Sequence, residues 1–363
     1  MSSFYGLNLS TPLEDLIPPP TEINNAHKKY SIAIASIVMG ILTTLVALVR
    51  LTTRFSSRTL GPDDYAIIPA IILYIAWIAL AAYSNLDTGI GKPLWEITVA
   101  EYGKWYQCII AALFLYPAMS ASVRVSIILL YRRVFSKSSR YRDILLDVLL
   151  GFQGVYVIIF SIMPGFVCTP IQNAQYPLQH TQFCHDVYYA NMQTALFSAS
   201  LAFDTILLVI PIFWVTKLQL PLKKRIGLVI IFVLGAGASI AAAYKLAVQV
   251  KETWHHVPQH LEWFNYLMSR FVPTQFESYG VTFWVPSVVE PTVALIGTSL
   301  PALQQLRIKT SQKLSSIRGS HENSQMSGDS KQKKTYFTSG SGGQGHGFYS
   351  INDSDIELRA AAA

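Results

Sequence analysis

Apolar positions along this chain gather into seven long runs, each followed by a short polar stretch. A helix needs roughly 20 mainly apolar residues to cross the hydrocarbon core of a bilayer. The runs that meet this length are Tyr30–Leu51, Tyr65–Leu86, Trp105–Val134, Ile144–Val167, Asn191–Val215, Ile226–Val250 and Val281–Leu300. Pro286, Glu290 and Pro291 interrupt the last run, and such breaks are tolerated where neighbouring helices re-satisfy the backbone. The pattern predicts an all-α fold, a seven-transmembrane helix bundle spanning residues 30–306. Residues 1–29 read as an extracellular N-terminal tail. Residues 307–363 read as a cytosolic tail too rich in Ser, Gly, Gln and Lys to order itself.

Composition supports this division. Only 13% of the 363 residues are charged, about half the share usual for a soluble domain. The first thirty residues lack a basic start followed by an apolar stretch, so the first run is expected to target the chain and stay in the bilayer. The net charge of +7 does not point to nucleic acid, because the basic residues sit between apolar runs. There they set orientation. Arg50, Arg54 and Arg58 flank the first connection, and Arg132, Arg133, Lys137, Arg140 and Arg142 the third. Lys217, Lys223, Lys224 and Arg225 flank the fifth, and Arg307, Lys309, Lys313 and Arg318 follow the seventh run. The stretch from Cys168 to Ala190 holds no Lys or Arg. The N-terminus is therefore expected outside and the C-terminus inside, with Lys28 and Lys29 outnumbered. On that reading the sequon at Asn8 is open to glycosylation and the one at Asn352 is not.

Ionisable groups inside spans are rare and need partners. Arg124 in the third run, Asp204 in the fifth and Glu290 in the seventh sit at middle to inner depth, where the long Arg side chain can reach either acid. They are the candidate site: a relay, an ion site or a ligand counter-ion on one reading, a structural ion pair on the other. Asp147 and Lys245 are placed nearer their helix ends and are expected to reach the interface. Three cysteines exclude a disulfide scaffold or a thiolate metal site. Cys168 with Cys184 is the favoured disulfide, since the loop between them can fold back, and Cys108 to that loop is the alternative. His255, His256 and His260 stand between Trp254 and Trp263, but no carboxylate or cysteine completes a metal set. Neither metal nor cofactor is expected.

These residues together resemble the fungal rhodopsin-domain family of integral membrane proteins. Leu60-Gly61-Pro62-Asp63-Asp64-Tyr65 is similar to its Gly-x-Asp-Asp-Trp signature, and Gly89-Ile90-Gly91 followed by Trp95 to its Gly-x-Gly loop. Ser126 through Phe135 resembles the family's end of helix three, and Cys168-Thr169-Pro170 with Cys184 its paired loop cysteines. Asp204, Pro211 and Leu218-Gln219-Leu220-Pro221 match the end of helix five. Glu290 and Leu300-Pro301-Ala302-Leu303 match helix seven. The likeness runs from about Tyr30 to Leu306. Tyr65 stands where the family has Trp, Arg124 where Lys is common and Lys245 where Arg is common, and the family's Trp between the loop cysteines is absent. The resemblance implies a seven-helix fold. Its members include receptor-like proteins of the PTH-eleven type and SAT-four-type membrane proteins of secondary-metabolite clusters. Retinal is not expected, because no Lys lies between Val281 and Leu300 to form a Schiff base.

The expected function is receptor-like sensing of an extracellular cue at a multi-pass membrane site, the plasma membrane first. The expected partners are the lipid bilayer, a small-molecule ligand, and a G protein or other cytosolic signalling protein. Tyr131-Arg132-Arg133 lacks a preceding acid, however, and the seventh run lacks an Asn-Pro-x-x-Tyr sequence, so coupling rests on architecture alone. A membrane-embedded tailoring enzyme of cyclase type, or a transporter of a secondary-metabolite pathway, is the alternative. The enzyme reading is the less favoured.

Overall fold

The computed structural model describes residues 15–135, 140–169, 183–216, 222–254, 265–272, 276–300 and 302–303. Seven helices are long and apolar enough to cross a membrane. They are α1 (Ser31–Ser56), α2 (Pro62–Asp87), α3 (Val99–Phe135), α4 (Arg140–Ile162), α5 (Asp186–Thr216), α6 (Leu222–Trp254) and α7 (Gly280–Leu300). Among the described residues there is no strand, only two isolated backbone bridges, Ile17 with Tyr266 and Cys168 with Cys184. The chain is a polytopic membrane protein.

Local chemistry sets the helix ends. α2 opens with Pro62 at its first position, where the missing N–H costs nothing, and carries Asp63 and Asp64 in its first turn. Asp64 turns its carboxylate back to accept the Gly61 N–H at 3.1 Å. α3 opens on a reciprocal cap. Thr98 Oγ1 accepts the Glu101 N–H at 3.2 Å, and Glu101 accepts the Thr98 N–H at 3.1 Å, the pattern that satisfies two orphan donors at once. This cap starts α3 at Val99 rather than Trp105. α7 begins with a π-helical turn, Gly280–Trp284, and continues through Pro286 and Pro291 to Leu300.

α3 is the central helix. It packs on α2, α4 and α5, and 61% of its apolar window is buried, against 28% for α1 and for α4. The outward faces of α1 and α4 carry Ile34, Ile41, Leu45, Val148, Val155 and Ile158 exposed, which is the surface lipid would cover. Inside, aromatic side chains fill the half of the bundle nearest the disulfide. Trp77, Tyr102, Trp105, Phe276 and Trp284 belong to one buried cluster. Trp77 Nε1–H finds the Ser287 carbonyl at 3.0 Å, and the Tyr74 hydroxyl meets Thr292 at 2.6 Å. Together these polar links join α2 to α7.

The described part of the N-terminal segment lies on the bundle. Ile17 bonds Asn265 and Leu267 through its backbone. Lys28 is buried and donates to the Leu86 and Thr88 carbonyls at 2.5 and 2.7 Å. Burial, and then the charge of Lys92, lowers the Lys28 ammonium below its ordinary value. Gly91 beside this segment has φ +82°, a left-handed conformation that suits glycine.

Cys168 and Cys184 form a disulfide, and Cys108 is a buried free thiol. The alternative pairing through Cys108 is thus not adopted. The bond closes a sequence separation of 16, worth roughly 3 kcal/mol in the chain-entropy model. Cys168→Ser or Cys184→Ser is expected to lower folded yield and melting temperature, with Cys108→Ser milder, as read by size-exclusion chromatography and thermal melts of purified protein.

Candidate functional site

The side chains at the centre of the bundle follow helical spacing. Tyr116, Ser120 and Arg124 recur every fourth residue on one face of α3, and Ser200 and Asp204 do the same on α5. Between these faces α6 inserts Lys245 and α7 inserts Glu290. Arg124 Nε donates to Asp204 Oδ1 at 2.8 Å, and its Nη2 donates to Ser200 Oγ at 2.5 Å and lies 3.6 Å from Glu290 Oε1. Lys245 Nζ donates to Glu290 Oε2 at 2.7 Å and to the Tyr116 hydroxyl at 2.6 Å. Tyr116 in turn donates to Glu290 at 2.8 Å, and Ser200 donates to it at 3.3 Å.

Two cations and two anions therefore share one buried network. Lys245 is 2% exposed and Glu290 5%, so neither charge is solvated and each depends on its partners. Both cations also face aromatic rings. Lys245 sits 4.1 Å from the Tyr116 centroid and 4.6 Å from that of Phe197, and Arg124 sits 5.6 Å from Tyr156. Such contacts hold a desolvated cation. Asp204 Oδ2 is buried without a hydrogen-bond partner.

A crevice of about 10 Å³ adjoins this network, lined by Trp77, Tyr116, Gln193, Phe197 and Phe283 among others. That is about the space of one water. The rings that wall it, Tyr116 and Phe197, are the ones Lys245 rests on.

The structure thus brings Arg124, Asp204 and Glu290 together. It corrects the placement of Lys245, which does not reach the interface. α6 runs to Trp254, past the Val250 boundary drawn from hydropathy, so Lys245 lies well inside the helix and faces α3 and α7. Asp147 is exposed and pairs with exposed Arg132 at 2.8 Å. Tyr116 carries no sequence signal of its own among 19 tyrosines.

A second buried cluster lies at the end of the bundle opposite the disulfide. Arg50 donates to Asp63 at 2.8 Å, to Asp64 at 3.1 Å and to the Thr298 carbonyl of α7 at 2.6 Å. Arg133 of α3 reaches the remaining carboxylate oxygens of Asp63 and Asp64 at 3.0 and 3.1 Å. Asp63 and Asp64 thereby tie α1, α2, α3 and α7 together. A Cβ on Gly61 would come within 2.7 Å of the Asp63 carboxylate and 2.9 Å of the Arg133 guanidinium, so any side chain there would have to displace one of them. Gly89 packs near Ile97 and Phe276 at the other end, where Lys92 and Glu101 form a buried pair at 2.5 Å. Among the described residues no group of His, Cys, Asp and Glu could hold a metal. His255, His256, His260, Trp263, Asn8 and Asn352 lie outside the described residues.

A model of the fungal rhodopsin domain matches residues 49–309. One curated relative is the wortmanamides biosynthesis cluster protein C of Talaromyces wortmannii, 27% identical over 213 residues. That alignment covers 58% of this chain and 57% of the relative, so the chain spans a little over half of that protein's length. No solved structure matches. The chain belongs to the fungal rhodopsin domain family.

Proposed function

We propose that this member of the family is a receptor-like sensor, in the plasma membrane, of an apolar or amphipathic small molecule. The observation that carries the proposal is the buried network of Arg124, Asp204, Lys245 and Glu290 under an aromatic crevice. Buried ion pairs are a costly way to hold helices together, since well-packed apolar residues are often as stabilising. Their usefulness lies in having discrete arrangements. A ligand that parts Phe197 from Phe283 would move the rings on which Lys245 rests and so bias the ion pairs that link α3, α5, α6 and α7. An equilibrium shifts only by the difference in ligand affinity between its states, and this contact supplies such a difference. In this reading the N-terminus is outside and a G protein or another cytosolic partner reads the basic inner loops. The orientation is checked by glycan mapping: carbohydrate on Asn8 is compatible with it, and carbohydrate on Asn352 reverses it.

The test is a cell-based response assay with the native host's extracellular extracts. Wild type is expected to respond, the deletion strain not to. Phe197→Trp, which overfills the crevice, should fold and reach the surface but lose the response. An undiminished response in both strains sinks the reading.

A second reading has its own support. The relative from Talaromyces wortmannii is named for a biosynthesis cluster, and the Tyr116 hydroxyl held between Lys245 and Glu290 is a potential proton donor. On that reading the protein is a membrane-embedded tailoring enzyme, or else a transporter for such a pathway. Deletion would then change the set of secreted metabolites and accumulate an unprocessed precursor, with no effect on signalling.

A further inference from the structure

We propose that the end of α1 opposite the disulfide binds a phosphoryl anion, with Arg54 as its buried anchor and Arg58 beside it at the surface. Three guanidiniums, Arg50, Arg54 and Arg133, share the field of two carboxylates, Asp63 and Asp64. Arg50 and Arg133 already occupy all four carboxylate oxygens: Asp63 Oδ2 and Asp64 Oδ1 accept from Arg50, Asp63 Oδ1 and Asp64 Oδ2 from Arg133. Among the described residues Arg54 donates to none of these oxygens. It is 5% exposed, its Nε has no hydrogen-bond partner, and among the described residues it makes no ion pair.

A donor in this state is expensive, because Arg54 Nε has left water without gaining an acceptor. The C-terminal dipole of α1 favours a cation in its last turn, where Arg54 lies, but only weakly at an ordinary position. An external anion closes the gap. Arg58 follows at φ +50°, a left-handed conformation uncommon for a residue with a side chain. It is exposed and has no ion pair among the described residues. The planar fork of arginine matches phosphate in a bidentate manner. The first turn of α2 is not the seat of this anion, since the Asp64 carboxylate already caps it. Arg54 sits near the end of a helix long and apolar enough to cross a membrane, where a lipid headgroup would be within reach. The phosphoryl group comes from an anionic phospholipid or from free phosphate.

The purified full chain in neutral detergent distinguishes these. Thermal unfolding and native mass spectrometry would be run with phosphatidic acid, phosphatidylcholine, inorganic phosphate and chloride. Phosphatidic acid or inorganic phosphate is expected to bind and raise the melting temperature, and phosphatidylcholine and chloride are not. A shift with the lipid alone names the headgroup as the source, and one with both names the free anion. Arg54→Gln should weaken binding by about tenfold or more, the loss of one charge-assisted contact, while leaving the ligand-free melt unchanged or higher. Arg58→Gln should weaken binding with the fold intact. The proposal is overturned if no phosphoryl probe is preferred, if Arg54→Gln binds as wild type does, or if Arg54→Gln alone destabilises the ligand-free protein as loss of Arg50 does.

Discussion

Arg50→Ala is expected to leave little recoverable protein, and what is recovered should melt far below wild type. Arg50 is 0% exposed and satisfies two buried carboxylates and one α7 carbonyl at once. Removing it strands Asp63 and Asp64 with one guanidinium between them. Breaking a buried pair from one side typically costs about 3–5 kcal/mol, a large part of the 5–15 kcal/mol that holds a typical domain. Arg50→Lys should fall between, because an ammonium keeps the charge but loses the fork that spans both acids. The control is Arg132→Ala. Its partner Asp147 is as exposed as Arg132 itself, and pairs of that kind contribute about 0–1 kcal/mol. Fluorescence-detected size exclusion and thermal melts in one detergent compare all three. A melt of Arg50→Ala equal to that of Arg132→Ala would show that the cluster does not hold the helices together.

Glu290→Ala should cost a similar amount, about 3–5 kcal/mol, because Lys245 then keeps only a hydroxyl and two rings as partners. The informative variant is the double one. Glu290→Leu with Lys245→Met removes both charges and fills the space with apolar volume. Arg124 still has Asp204 at 2.8 Å, so no ion is stranded. The double variant should recover most of the lost stability, and the double-mutant cycle should give strong coupling between the two sites. It also separates architecture from function. If the network serves signalling or proton transfer, the restored fold will be inactive. An active double variant would reduce the network to a packing device. Arg124→Ala belongs to the same class as Glu290→Ala, since it strands Asp204, and Arg124→Lys should be milder.

Fold class and the seven spans are local properties of this chain. Crossing a bilayer requires apolar length and internal backbone bonding, and both are written in consecutive residues, so the runs mark the helices to within a turn or two. The Cys168–Cys184 bond is local in the same sense: the two residues border one short loop. Arg124, Asp204 and Glu290 stand out in sequence because a charge inside an apolar run is conspicuous whatever it faces.

What a charge faces is decided only by how the helices pack. Hydropathy places Lys245 near the interface because it ends a span where polarity begins, whereas backbone bonding carries α6 on to Trp254. In sequence Arg50 and Arg133 are charges that set orientation, yet the fold encloses Arg50 entirely and clamps Asp63 and Asp64 between the two. Tyr116 gained its place from the approach of α6 and α7 to α3. Arg54 was one basic residue among several flanking the first connection. That its Nε is buried without a hydrogen-bond partner appears only in the folded bundle. Pairing between helices depends on which faces meet, and that depends on the volumes and small residues of the whole bundle rather than on the order of residues in any one run.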